Sequence, residues 1–145
     1  MWFEEFTASG NNAVVKSGLF SPTMVLILLL AIGLRAWGLQ GQSLTMDEVA
    51  EIEIAKGSLG EIILAKDGFP PLYQIFLWGW LKVFQRDESA RWLSVLFGSL
   101  AVLIMWNLGS EIGGRRTKFW IAFILAVSPF HIWYSQESRA YALYF

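Results

Sequence analysis

The 145-residue chain contains no cysteine and few charged residues, and its formal net charge is only −1. The absence of cysteine excludes a disulfide framework, a thiolate metal site and a cysteine nucleophile, and it leaves the cellular compartment open. The lysines and arginines are scattered rather than gathered into a stripe, so a nucleic acid is not an expected partner.

Apolar residues are abundant instead. Hydrophobic residues make up 55% of the chain and aromatic residues 16%, and the mean hydropathy is +0.48. This exceeds what a soluble domain of this length needs to fill a core, and lipid is the natural solvent for the excess. The composition therefore predicts an integral protein of the cell membrane, with membrane lipid around it. The apolar segments of the chain make this prediction all-α and multi-pass.

Three apolar segments are long enough, or nearly long enough, to cross a bilayer. The first is predicted to span 19–39, because Ser21 is a good N-cap and Pro22 suits the first helical position. The others are predicted at 92–109 and 119–134. A cleaved signal peptide is the alternative for the first segment, but the chain starts with acidic rather than basic residues and lacks a small-residue cleavage site.

A weaker apolar stretch lies at 71–84. As a helix of about 14 residues it would be only about 20 Å long, too short to span. Its tryptophans, tyrosine and lysine favour a helix that lies in the headgroup region of the membrane. If this stretch did cross, the chain would have four crossings and the later basic loop would be forced outside.

The distribution of charge predicts the topology. The loop at 110–118 holds three basic residues against one acid, which favours the cytoplasm. The segment at 40–91 carries eight acids and five bases and is predicted to be an exterior loop. With three crossings, residues 1–18 form a cytoplasmic tail and residues 135–145 begin a second exterior loop.

The exterior loop is predicted to contain three juxtamembrane helices, at 45–56, 58–67 and 71–84. The first has the spacing of a capping box, in which Thr45 caps the helix and Glu48 returns a bond to the cap. Acidic residues at a helix N-terminus also complement the helix dipole, so capping alone is an alternative explanation of these acids.

Ionisable groups near both exterior segments suggest a site at one membrane boundary. Asp47 is a candidate base for an acceptor hydroxyl, Glu137 a ligand for a divalent cation or a second substrate group, and Arg139 a partner for a phosphate. His131 is equally explained as an interfacial residue among aromatics, and Arg139 as an ordinary interfacial charge. The candidate catalytic residues are Asp47 and Glu48, the candidate substrate or donor-phosphate ligands are Arg91, His131, Glu137, Arg139 and Tyr141, and the candidate metal ligands are Asp47 and Glu137.

The chain resembles the GT-C class of glycosyltransferases, in the family that joins protein O-mannosyltransferases with the aminoarabinose transferases of lipid A. The resemblance covers nearly the whole chain and rests on four segments in order: LRAWGLQGQSLTMDEVAEI, PPLYQIFLWGWLKVF, RWLSVLFGSLAVL and SPFHIWYSQESRAYAL. It implies the N-terminal transmembrane helices of a GT-C fold with exterior juxtamembrane helices. It also implies a hexosyl or pentosyl transferase that uses a polyprenyl-phosphate sugar donor and a lipid, glycan or protein hydroxyl acceptor on the exterior face.

Within this resemblance, Asp47 matches the catalytic acidic position of the first exterior loop and Glu137 the later acidic position. One departure is Phe69, which stands before the proline pair where family members often have histidine or lysine. The family's members are larger, so the chain is expected to be an N-terminal fragment that does not catalyse transfer alone. A transporter segment, or a non-catalytic scaffold that uses Asp47 and Glu48 only as caps, are the alternatives.

Overall fold

A computed structural model of the chain describes residues 21–39, 41, 43–64 and 71–144. The described residues form helices and contain no β-strand, which confirms the all-α prediction for this part of the chain. The predicted cytoplasmic tail at 1–18, the last residues of the helix predicted at 58–67 and the departure at Phe69 lie outside the described residues.

Seven α-helices and one short 3₁₀ helix are seen in these ranges. They are α1 Pro22–Ala36, α2 Met46–Lys56, α3 Leu59–Leu64, α4 Leu72–Phe84, the 3₁₀ helix Asp87–Ser89, α5 Ala90–Val127, α6 Pro129–Gln136 and α7 Tyr141–Tyr144. The hydroxyl of Ser21 caps α1 by accepting from the Met24 N–H at 3.2 Å. The capping box predicted at Thr45 and Glu48 is present at the start of α2.

Helix α5 is broken at Gly114, where φ is +73° and ψ is −154°. Glycine reaches this backbone conformation because it has no Cβ. A Cβ built on Gly109 would lie 2.6 Å from the Cα of Lys118, whereas in a straight helix these two positions would be about 13 Å apart. The chain therefore turns back on itself, and α5 is a hairpin of two arms, 90–113 and 115–127.

The helix bounds differ from the predicted ones at three places. Helix α1 ends at Ala36 rather than at residue 39, because Trp37 is extended with a ψ of 122° and Gly38 has a φ of +73°. The segment predicted as a loop at 110–118 is helical on both sides of Gly114, because a single glycine makes the reversal. The segment predicted as one span at 119–134 is interrupted at Ser128, whose ψ of 116° is extended. Pro129 explains the interruption, since proline lacks an N–H and disfavours helical backbone in the residue before it.

Helix α1 packs against both arms of the α5 hairpin, and this three-helix layer encloses the first of two apolar cores. The buried members of this core are Met24, Ile27, Ala31, Val102, Trp106, Ala122 and Ala126. Near the hairpin turn, the ammonium of Lys118 lies 4.9 Å from the centre of the Trp106 ring. The first core thus holds three helical rods side by side.

A second core joins α2, α4, α7 and the start of α5 at the opposite end from the hairpin turn; we call this part the end layer. Its buried members are Ile52, Ala55, Tyr73, Leu77, Ala90, Leu93 and Ala140. The Tyr73 hydroxyl shares hydrogen bonds with Ser94 Oγ at 2.8 Å and Ser138 Oγ at 3.3 Å. Burial raises the pKa of Tyr73 to about 12, so it remains a neutral packing residue.

The surface of the long helix is strongly apolar. Every fourth residue along the first arm of α5 is a large exposed hydrophobic: Trp92, Leu96, Leu100, Ile104, Leu108 and Ile112. By length and composition, the helical segment Asp87–Val127, which contains the hairpin turn, is long and apolar enough to cross a membrane, and 44% of its most apolar window is buried in the fold, whereas α1 is apolar but shorter. This is consistent with a membrane protein.

Candidate functional site

Glu48 is fully buried at the third position of α2, in the end layer. Arg91, at the start of α5, donates from Nε to Glu48 Oε1 and from Nη2 to Oε2, both at 2.7 Å. The backbone N–H groups of Thr45 and Ser138 donate to the same carboxylate, each at 2.9 Å. A planar guanidinium fork on a carboxylate is among the strongest and most directional polar contacts in proteins.

The other face of Arg91 holds the chain between α1 and α2. Its Nη1 donates to the carbonyl of Leu39 at 3.0 Å and its Nη2 to that of Ser43 at 3.1 Å. Burial would raise the pKa of Glu48, but the bonds from Arg91, Thr45 and Ser138 outweigh burial and lower it to about 2. The pair is thus ionised and connects four segments of the chain.

These contacts bear on two of the predicted roles. In the structure, the side chains of Glu48 and Arg91 bind each other and nearby backbone, below the surface. The catalytic role of Glu48 and the phosphate-binding role of Arg91 therefore stay predictions. What the contacts show is that this pair holds the neighbouring residues in position. Thr45 and Ser138 belong to the same support, and sequence reasoning did not place Ser138 there because it lies 90 positions from Glu48.

Asp47 precedes Glu48 but points the other way, with 67% of its side chain exposed. Its Oδ2 accepts from Nη1 of Arg139 at 3.0 Å. The Arg139 guanidinium in turn lies 4.9 Å from the centre of the Tyr141 ring. Three of the predicted site residues therefore meet at the surface of the end layer, directly above the buried ion pair.

Glu137 lies at the C-terminal cap of α6, where its Oε1 accepts from Nε1 of Trp133 at 2.9 Å. Glu137 directly precedes Ser138, whose N–H donates to the Glu48 carboxylate, so Glu137 lies beside the buried ion pair. Within the described ranges, no three histidine, aspartate or glutamate side chains are grouped so as to hold a metal ion. A divalent cation between Asp47 and Glu137 stays a prediction.

His131 lies away from this surface group, in the interior of the bundle. Its Nδ1 accepts from Arg35 Nη2 at 2.9 Å and lies 3.2 Å from Ser135 Oγ, one helical turn further along α6. The role of His131 in substrate binding stays a prediction. Its observed partners are groups of the bundle itself.

Arg35 lies in the last turn of α1 and has no predicted role. It is fully buried, and it donates to the carbonyls of Leu125 at 3.2 Å and Ala126 at 3.1 Å. The Leu125 carbonyl would normally accept from the residue four positions later, which is Pro129 and has no N–H. Arg35 thus replaces hydrogen bonding that the proline removes. Only the unsatisfied carbonyl was detectable from sequence.

No family model, no curated protein and no solved structure matches the chain. The resemblance to GT-C transferases therefore rests on the four sequence segments quoted above. What the geometry adds is an exposed carboxylate beside an arginine and a tyrosine, held by a buried ion pair.

Proposed function

We propose that the chain carries the acceptor-activating part of a membrane glycosyltransferase. The enzyme would move a sugar from a polyprenyl-phosphate donor to a hydroxyl group of a lipid, glycan or protein on the non-cytoplasmic face. The observation that carries this proposal is the position of Asp47, whose exposed carboxylate is oriented by Arg139 next to Tyr141.

The proposal includes three membrane crossings, formed by α1 and the two arms of the α5 hairpin. Polar side chains such as Arg35 and His131 face inward, while the exposed surface of the rods is rich in leucine and isoleucine. So large an exposed apolar surface around the bundle suits a lipid environment. The first arm is about 36 Å long and the second arm with α6 about 31 Å, both sufficient for a hydrocarbon core of about 30 Å. Helix α1 has 15 residues and is only about 22 Å long, so its crossing rests on the longer apolar span predicted at 19–39.

Charge favours one orientation of this bundle. The exposed Arg115 and Arg116 follow the hairpin turn and suit the cytoplasm, while the end layer exposes acids that include Asp47 and Asp87. In this orientation the end layer, and the surface group around Asp47, face the exterior. A hydroxyl acceptor and a lipid-linked donor would then meet at the membrane boundary.

The proposed reaction is a single displacement with inversion at the sugar. Asp47 accepts the proton of the acceptor hydroxyl while the hydroxyl oxygen forms a bond to the anomeric carbon. The bond from that carbon to the phosphate oxygen breaks, and the polyprenyl phosphate leaves with the electron pair. The cation of Arg139 would stabilise the leaving phosphate, and the buried pair of Glu48 and Arg91 would hold α2 in place.

The test is Asp47→Asn, made in the protein in its native membrane and assayed by transfer from a labelled polyprenyl-phosphate sugar. General-base catalysis contributes about 10²- to 10⁴-fold, so we expect transfer to fall at least about 100-fold. The matched control is Asp87→Asn, because Asp87 is an exposed carboxylate of the same layer that binds Lys56 at 2.9 Å. Transfer near the wild-type rate in Asp47→Asn, at equal abundance in the membrane, would contradict the proposal.

A further inference from the structure

Two adjoining clefts lie at the border between the end layer and the apolar rods, away from Asp47. The first, which we call the polar cleft, has a volume of about 580 Å³ and is lined by Leu39, Gly41, Ser43, Leu44, Arg86, Glu88 and Arg91. The second, the aromatic cleft, has a volume of about 590 Å³ and is lined by Trp80, Phe84, Arg86, Glu88, Ser89 and Trp92. Arg86 and Glu88 line both clefts and thus form their common wall.

This common wall carries one charge of each sign. Arg86 and Glu88 are exposed, and the salt bridges of the described residues include neither of them. The charge of Arg91 in the polar cleft is already neutralised by Glu48. A ligand at the wall therefore meets a cation and an anion close together, which suits a headgroup that itself carries both charges.

The aromatic cleft is lined by rings that contact one another and are held by a hydrogen bond. The rings of Trp80 and Phe84 lie 4.3 Å apart, and the indole N–H of Trp80 is fixed by the carbonyl of Ser89 at 2.8 Å. Trp92 lines this cleft and is also the first residue of the exposed stripe that continues through Leu96 and down the first arm of α5. The aromatic cleft is thus continuous, at Trp92, with the exposed apolar stripe of α5.

We propose that the two clefts bind a glycerophospholipid with a zwitterionic headgroup, its phosphate at Arg86 and its ammonium at Glu88. The ammonium also lies within reach of aromatic faces, which attract cations, and one acyl chain follows the stripe from Trp92. This proposal rests on the membrane location in the proposed function but not on sugar transfer. A purely anionic lipid, including a polyprenyl phosphate, would be repelled by Glu88.

Native mass spectrometry of the purified full chain in detergent tests this site. The probes are phosphatidylethanolamine, phosphatidylcholine and phosphatidylglycerol with identical acyl chains. We expect either zwitterionic lipid to bind more tightly than phosphatidylglycerol. Losing one charge-assisted contact should weaken zwitterionic binding about tenfold in Arg86→Gln and in Glu88→Gln. The matched controls, Arg115→Gln and Glu111→Gln, change exposed charges near the hairpin turn and should bind as the wild type does.

The Glu88→Gln variant separates the two kinds of lipid. The proposal would be overturned if the wild type bound phosphatidylglycerol more tightly than phosphatidylethanolamine. A gain of zwitterionic lipid binding in Glu88→Gln would also overturn it. An equal loss in the Arg115→Gln control would also overturn it, because binding would then follow overall charge. Circular dichroism checks that each variant keeps the helix content of the wild type. The Arg86→Lys variant keeps the positive charge and should retain most of the lipid binding. Lipid binding is read without sugar transfer, so failure here leaves the transferase proposal to its own test.

Discussion

Replacing Glu48 by glutamine removes the charge that Arg91 needs while keeping the size of the side chain. In the wild type the Glu48 carboxylate accepts two bonds from Arg91 at 2.7 Å and one from the Ser138 N–H at 2.9 Å. The variant leaves the guanidinium buried without its counter-charge. Breaking one partner of a buried ion pair costs about 3–5 kcal/mol, and we expect a loss of stability of this size.

The pH dependence of folding gives a second estimate of how much the Glu48 carboxylate stabilises the fold. The pKa of Glu48 falls from 4.5 to about 2 in the folded chain, which corresponds to about 3 kcal/mol of stability. Because the folded pKa is the lower one, this stability is present above pH 4.5 and is lost as the pH falls from there towards 2. The Glu48→Gln variant should lack this part of the acid dependence.

The assay is unfolding of the purified chain in mild detergent, followed by circular dichroism, at pH 7 and at pH 3. The wild type should be less stable at pH 3 than at pH 7. The Glu48→Gln variant should have low stability at both pH values. The double variant Glu48→Gln with Arg91→Met should recover part of the loss, because it removes the uncompensated charge. A loss below about 1 kcal/mol in the single variant at pH 7, within the range of an exposed pair, would refute the role given to the buried pair.

Two further variants probe the bundle. Arg35→Met leaves the carbonyls of Leu125 and Ala126 without the arginine, so we expect about 2–4 kcal/mol of destabilisation in the same unfolding assay. The control Arg116→Met changes an exposed arginine and should alter stability little. Equal stability of the two variants would count against the role of Arg35. Gly114→Ala puts a Cβ on a residue with φ of +73° and should reduce stability by about 1–3 kcal/mol. The control Gly33→Ala places a Cβ in open space within α1 and should be neutral or stabilising. An unchanged melting temperature in Gly114→Ala would show that the turn does not depend on this glycine.

Local features of the fold were accessible from the sequence. The capping box of Thr45 and Glu48 depends on residues three positions apart, so its spacing alone predicted the start of α2. The reversal at Gly114 was not accessible in detail, because a glycine pair in a polar stretch suggests a loop and does not reveal which glycine takes a positive φ. The interruption by Pro129 was visible in the sequence but was overlooked inside an apolar run.

Long-range partners account for what the sequence left out of the candidate site. Asp47 and Arg139 were both predicted, but the 3.0 Å contact between them joins residues 92 positions apart. Glu48 reads equally as a cap and as a catalytic acid until its pairing with Arg91 is seen. No role was predicted for Arg35, because the carbonyls to which it donates lie about 90 positions away. Spacing within one helix carries no information about such contacts.

The location of the site depends on the end layer and the hairpin turn lying on opposite sides of the membrane. Because the chain has no cysteine, Met46→Cys in the end layer and Ser110→Cys near the turn each introduce one reactive thiol. We expect a membrane-impermeant maleimide added to intact cells, with any outer envelope made permeable, to label Met46→Cys. Ser110→Cys should be labelled only after the inner membrane is opened. Labelling of both positions from the same side would contradict the proposed topology and the exterior site built on it.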